Sequence, residues 1–178
     1  WWWWSFCNGN RKLKLKRLSL IRHAKSDWNN IQLSDYNRPL NKRGLENAPV
    51  MGKRLFNLYG TPDLIISSGA KRAFSTAEFF ASSSSYDQTK IISNDDLYLA
   101  SSSSIINIIQ SIDNQFSNVW ILSHNPGVSE TIIELTDRDL ELKTCCVCVI
   151  EKNSKKWSKI KKGSCHIINH MTPKDHQN

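Results

Sequence analysis

The run Asn118-Val-Trp-Ile-Leu-Ser123, followed at once by His124-Asn-Pro-Gly127, decides the fold. Its apolar residues are consecutive rather than alternating, which marks a strand covered on both faces, and such strands belong to parallel sheets with helices above and below. Asn125-Pro126-Gly127 then opens a helix, with Pro126 suited to a first turn where an amide hydrogen would be unpaired anyway. Upstream, Arg17-Leu-Ser-Leu-Ile-Arg22 reads as a strand ending at Arg22-His23. Asn41 to Tyr59 reads as a helix, because Leu45, Ala48, Met51, Leu55 and Leu58 recur at three- and four-residue steps. Gly60 ends it and Pro62 follows. Pro49, inside that pattern, is expected to kink the helix or push its start later. Asp63–Ser67 is a short strand, and Ser68-Gly69 turns into a helix from about Ala70 to Phe80. Lys90–Ser93 is a brief strand. Ile105 to Ile112 is helical, with Ile105, Ile108, Ile109 and Ile112 on one face and Ser104 or a neighbour as its cap. Cys145–Glu151 and Ser164–Asn169 are closing strands joined by Lys152–Lys162. Strands alternating with helices predict an α/β three-layer sandwich with a mostly parallel central sheet flanked by helices.

The 178 residues suit one domain with a core of its own. At 39% hydrophobic and 22% charged the chain reads as globular, and no stretch approaches the roughly 18 apolar residues of a membrane span. Trp1–Trp4 is no natural beginning, so residues 1–10 are read as a non-native or disordered leader and 11–178 as the domain.

The formal net charge of +8 first suggests nucleic acid or a membrane surface. However, eleven of the cations lie in two stretches, 11–17 and 152–162, and the remainder holds 13 basic against 16 acidic residues, a net of −3. Lys12-Leu-Lys-Leu-Lys16 alternates as a lysine-protected edge strand would. Aromatic residues for base stacking are confined to Trp157 in the second stretch. Neither nucleic acid nor membrane is therefore expected as a partner. Cys7, Cys145, Cys146, Cys148 and Cys165 are odd in number and lack a paired CxxC. They read as small buried residues in a reducing cytoplasm rather than as disulfides or metal ligands.

Ligands of such sheets bind beyond the carboxyl ends of the strands. There the sequence places Arg22-His23, Ser67-Ser68 with Lys71-Arg72 one turn on, and Ser123-His124. Paired carboxylates are absent from these positions, against a glycosidase or a Mg²⁺ site. Two arginines with two histidines suit a phosphoryl group. Guanidinium forks match its oxygens and stay charged. A neutral imidazole can attack phosphorus. The helix after Asn125 could add its amides.

These residues resemble the motifs of the histidine phosphatase (phosphoglycerate mutase-like) superfamily. Leu20-Ile-Arg-His-Ala-Lys-Ser-Asp-Trp-Asn29 is similar to its Arg-His-Gly signature, with Ala24 for the usual glycine. Ser67-Ser-Gly-Ala-Lys-Arg-Ala-Phe-Ser-Thr-Ala77 resembles the second motif and Ser123-His-Asn-Pro-Gly127 the third. Within the superfamily the chain is most similar to SixA-type phosphohistidine phosphatases, through Asp35-Tyr-Asn-Arg-Pro-Leu-Asn-Lys-Arg-Gly44, Leu97–Ala100, Trp157 and Thr172-Pro-Lys174. The resemblance implies that His23 accepts the phosphoryl group. It further implies that Arg22, Arg72 and His124 form the phosphate pocket with Asn29 as a helper, and that no metal or organic cofactor is needed. Ala24 is tolerable where no positive φ is required.

The superfamily's mutases carry a glutamate acid after the third strand. Here the region reads Ser93-Asn-Asp-Asp-Leu-Tyr-Leu-Ala100, with Asp95 or Asp96 as possible substitutes. An alkoxide leaving group needs a strong proton donor, whereas the imidazole of phosphohistidine can leave without one. The expected function is hydrolysis of phosphohistidine on a partner protein. The alternative is a phosphatase or mutase for small phosphate esters, and a non-enzymatic basic binding module is the third reading.

Overall fold

A computed structural model describes residues 15–176. The Trp1–Trp4 start, the leader 1–10, Cys7 and the Arg11–Lys14 part of the first basic stretch lie outside the described residues. In chain order the strands and helices are β1 Leu15–Arg22, α1 Lys42–Tyr59, β2 Leu64–Ser67, α2 Lys71–Ser83, β3 Ile92–Ser93, α3 Ser102–Ser111, β4 Asn118–Ser123, α4 Gly127–Thr136, β5 Val147–Asn153 and β6 His166–Met171. They build one six-stranded sheet of order β3-β2-β4-β1-β5-β6. β3, β2, β4 and β1 run parallel, and β5 and β6 are antiparallel additions.

Two buried clusters line the sheet's faces, as a strand set buried on both sides requires. Ala48, Met51 and Leu55 of α1 and Ala77, Phe80 and Ala81 of α2 pack on Ile21, Ile65, Trp120 and Leu122. Ile105, Ile106 and Ile109 of α3 and Val128, Ile132 and Leu135 of α4 pack on Leu18, Leu20, Val119 and Ile121. The alternation within Val119–Leu122 thus serves both faces, and this is the three-layer α/β sandwich that the sequence predicts.

Four expectations are corrected. Leu15 and Lys16 do not lie on a sheet edge: β1 is central, between β4 and β5. Lys16 is buried, with Nζ donating to the carbonyls of Asn114 at 2.7 Å and Phe116 at 2.6 Å. Pro49 does not delay α1, which starts at Lys42 under a cap in which Asn41 accepts from the Gly44 amide. The buried stripe of α1 is Gly44, Ala48, Met51, Gly52 and Leu55, while Leu45 and Leu58 are exposed. Gly52 belongs to the stripe because a Cβ there would come within 2.8 Å of the Phe80 Cα on α2. Finally, Ser101 rather than Ser104 caps α3, its hydroxyl accepting from the Ser104 amide.

The pairing explains the charge pattern. Leu15 lies opposite Asn153 and Lys16 opposite Lys152, so the start of β1 and the end of β5 lie at the same end of the strands. The lysine-rich connection after Asn153 therefore leaves from the end of the sheet opposite to the carboxyl end of β1. Trp157 is fully buried, with Nε1 donating to the Phe116 carbonyl at 2.9 Å, and offers no face for stacking. No helix of the described residues is long and apolar enough to cross a membrane.

Candidate active site

In the sheet register Arg22 lies beside Ser123, and Ser67 lies beside Leu122. The three parallel strands therefore deliver His23, Ser68 and His124 side by side. The rings of His23 and His124 are 4.9 Å apart at their centroids. Arg72, in the first turn of α2, donates from Nε to His23 Nε2 at 3.3 Å. Thr76, one turn further along α2, ties the β1 end to this helix. Its hydroxyl accepts from the Ala24 amide at 3.0 Å and donates to the Arg72 carbonyl. Outside glycine, positive φ occurs at Ser85, Leu99, Asp137 and Cys145, so Ala24 has ordinary backbone and needs no glycine.

The hydrogen bond to a carbonyl assigns the proton on the His23 ring. His23 Nδ1 lies 2.7 Å from the Ala24 carbonyl, which can only accept, so Nδ1 carries the hydrogen and Nε2 presents its lone pair. The Ser68 hydroxyl accepts from the Ala70 amide and lies 2.9 Å from His124 Nε2. His124 Nδ1 has no hydrogen-bond partner among the described residues. Burial, opposed by the Ala24 hydrogen bond and reinforced by Arg72, Arg22 and Arg38, pushes His23 down to about 4. Burial, His23 and Arg72 push His124 down to about 3. Both rings are neutral at pH 7.

These shifts predict how stability depends on pH. In the unfolded chain both histidines titrate near 6.5, so between that value and the folded values the unfolded state binds more protons. Stability is then fully present above about pH 6.5 and falls as the pH drops towards about 4 and 3, by on the order of 1 kcal/mol per pH unit for each histidine. Urea midpoints measured from pH 7.5 to 4 should show this slope, and His23→Gln should reduce it.

A cavity of about 250 Å³ opens at these strand ends. Arg22, His23, Arg72 and His124 line it, as the sequence predicts, together with Lys25, Ser26, Trp28, Asp35, Arg38, Leu99, Asn125 and Thr144. Asn29 does not line it; it lies exposed in the turn beyond Trp28, its amide donating to Asp27. Asp95 and Asp96 do not line it either, and Asp95 accepts the Tyr36 hydroxyl at 2.6 Å.

Sequence reasoning missed Asp35 and Arg38. The carboxylate of Asp35 accepts from Arg72 at 2.8 Å, from Tyr98 at 2.7 Å and from Arg38, and its carbonyl accepts a further Arg72 nitrogen. Burial alone would raise the Asp35 carboxyl, but the Tyr98 and Arg72 hydrogen bonds with the Arg72 and Arg38 charges hold it down at about 2. Arg38 stacks over Trp28, 3.4 Å from the ring centroid, and is only 8% exposed. The Asp35–Arg38 run was visible as a motif, but nothing in its loop-like sequence located it over the strand ends.

Seven buried side-chain polar atoms of the described residues lack a hydrogen-bond partner. Four of them, Arg22 Nε, Arg38 Nε, Arg38 Nη1 and His124 Nδ1, belong to residues lining this cavity. Buried donors are ordinarily satisfied, and cationic donors with free hydrogen-bonding capacity at one cavity suit an anion. The cysteines stand apart from this chemistry. Cys145, Cys146, Cys148 and Cys165 are buried thiols, and burial pushes those of Cys145 and Cys148 up to about 12. No three His, Cys, Asp or Glu side chains of the described residues are grouped as a metal site would need.

Fold and cavity define an α/β protein with a buried cationic site at the ends of its parallel strands. The family model of the histidine phosphatase superfamily, branch 1, matches residues 18–98, the stretch that carries Arg22, His23, Asp35, Arg38 and Arg72. Among curated proteins it is 28% identical over 150 residues to an uncharacterized chloroplastic protein of Arabidopsis thaliana, covering 80% of this chain and 69% of that one. Among solved structures, the protein histidine phosphatase SixA complexed with tungstate superposes with a TM-score of 0.77 at 18% identity, covering 89% of this chain and 98% of that one. A protein described as phosphohistidine phosphatase SixA from Nakamurella multipartita gives 0.76 at 20%, covering 89% and 96%. A protein of Escherichia coli described as an α-ribazole-5′-phosphate phosphatase shares the fold less closely, at 0.66 and 18% over 89% and 97%.

Proposed function

We propose that the protein hydrolyses phosphohistidine on a partner protein through a phosphorylated His23. In this reading the His23 Nε2 lone pair attacks phosphorus as the P–N bond to the substrate imidazole breaks. The bonding pair stays on the departing nitrogen, and the ring, protonated on its other nitrogen, leaves neutral. Water then attacks phosphorus, the pair of the His23–phosphorus bond returns to Nε2, and the water's proton leaves with phosphate and solvent. The Ala24 carbonyl keeps Nδ1–H in place, so the intermediate is a cationic phosphoimidazole, which is its labile form. Arg22, Arg38 and Arg72 neutralise the phosphoryl oxygens, and His124 Nδ1–H donates to one of them. Asp35 holds Arg38 and Arg72 in position. Donors that are already fixed and desolvated need little reorganisation as charge redistributes.

The observation that carries the choice of substrate is the state of Asp35, the one carboxyl among the cavity's lining residues. Held at about 2 between two arginines, it has no proton to give to an alkoxide near neutral pH. Transfer from one imidazole to another is also nearly balanced in bond energy. The comparison that tests this is phosphate release from phosphohistidine, phosphoserine and a sugar phosphate. A preference of at least about 100-fold in kcat/KM for phosphohistidine is expected, since unassisted alkoxide departure forgoes the usual acid contribution of about 10²–10⁴. A preference for either ester would overturn the reading in favour of small phosphate esters.

A further inference from the structure

The mouth of the cavity is apolar where its floor is cationic. Trp28 lines the cavity and is 67% exposed, and Leu99 lines it and is 57% exposed. The loop that leaves Trp28 and returns to the cavity at Asp35 carries Ile31, 93% exposed, and Leu33, 37% exposed. A free phosphate or a sugar phosphate would gain nothing from the Trp28 and Leu99 side chains exposed at the cavity, whereas a larger substrate buries them. Leu99 adds an independent sign. It has a φ of +46°, a left-handed conformation uncommon for a residue with a bulky side chain. Backbone held in such a region clusters at ligand clamps. The preceding residue is Tyr98, whose hydroxyl donates to Asp35 and whose ring lies edge to face with that of His124, centroids 5.4 Å apart.

We propose that Trp28, Ile31, Leu33 and Leu99 form a docking rim for the apolar residues that flank a phosphohistidine on a partner protein. The proposal rests on the phosphohistidine reading of the cavity. The occupant follows from continuity: whatever covers the rim must at the same time lower a phosphoryl group onto Arg22, Arg38 and Arg72. A protein segment with large apolar side chains beside its phosphorylated histidine does both. Specificity then arises from apolar burial at the rim, while the cationic floor treats all phosphoryl groups alike.

The test uses three substrates: free phosphohistidine, a peptide with leucines on both sides of phosphohistidine, and the same peptide with serines there. The variant is Ile31→Ser/Leu33→Ser, outside the cavity lining, which leaves Leu99 in place and Trp28 beneath Arg38. The native protein is expected to favour the leucine peptide over the serine peptide at least tenfold in kcat/KM, through KM. The variant should lose that preference and hydrolyse free phosphohistidine within about twofold of the native rate. Hydrolysis of free phosphohistidine with no peptide preference, or a preference that survives in the variant, overturns the rim and spares the reading of the cavity. No hydrolysis of free phosphohistidine overturns both. A rim serving a second copy of this chain would give a concentration-dependent dimer in sedimentation, abolished in the variant, with no peptide preference, and that too overturns the proposal.

Discussion

His23→Ala is expected to abolish phosphate release, with a loss of at least about 10⁴-fold in kcat, because a reaction that passes through a covalent intermediate loses its route when the nucleophile is removed. The geometry identifies which nitrogen is at stake. Nδ1 is committed to the Ala24 carbonyl at 2.7 Å, and Nε2 faces Arg72. Rapid acid-free quenching of the native protein with ³²P-labelled phosphohistidine should therefore trap label on Nε2 of His23, stable to alkali and lost in acid. His23→Ala should trap none and keep its fold, because the surrounding contacts of Arg72 with Asp35 and of Ala24 with Thr76 do not pass through the imidazole. Labelling at another residue, or undiminished turnover in the variant, would sink the mechanism.

Arg38→Met is expected to separate activity from stability. Arg38 is a nearly buried cation with two nitrogens that have no partner, and its ion pair is with a carboxylate that Arg72 also holds. Replacing a buried, incompletely paired charge with an apolar side chain of similar length is often neutral or stabilising. In the phosphoryl complex those same nitrogens become charge-assisted donors in a desolvated site. There, losing one such group costs about 2.7–4 kcal/mol, a fall of roughly 10²–10³ in kcat. The variant should thus melt no lower than the native protein while losing most of its turnover. Equal losses of stability and activity would show that Arg38 is structural, and Arg38→Lys should restore charge but not the paired donors. The same argument predicts the sign of a ligand effect. Inorganic phosphate or another tetrahedral oxyanion should raise the melting temperature of the native protein and do so less in Arg38→Met, because ligand binding stabilises only the state that holds it.

Much of this was legible in the chain because its signals are local. Val119–Leu122 is apolar without alternation, and a strand of that kind has to be covered on both faces whatever else the protein does. Arg22-His23 and Ser123-His124 directly follow such strands. The parallel register then puts them side by side with no further information. Arg72 and Thr76 are one helical turn apart, so the second motif could be read as a pair on one face of α2.

Other features depend on contacts between distant segments, which no local pattern encodes. Lys16 looks like an exposed edge lysine by alternation, yet carbonyls a hundred residues away make it a buried one. Asp35 and Arg38 sit in a turn-like stretch with no periodicity. The return of that stretch across the strand ends, pinned by Arg72, makes Asp35 an anchor rather than an acid. Asn29 and Asp95 satisfy the motif order but lie outside the cavity. The sequence by itself determined the layers of the sandwich and the identity of the paired histidines and arginines, because strand burial and strand-end position are short-range properties. The tertiary structure alone decided the protonation of the site, the third arginine and the apolar rim, because desolvation, ion pairing and exposure are properties of what surrounds a side chain and not of the residue itself.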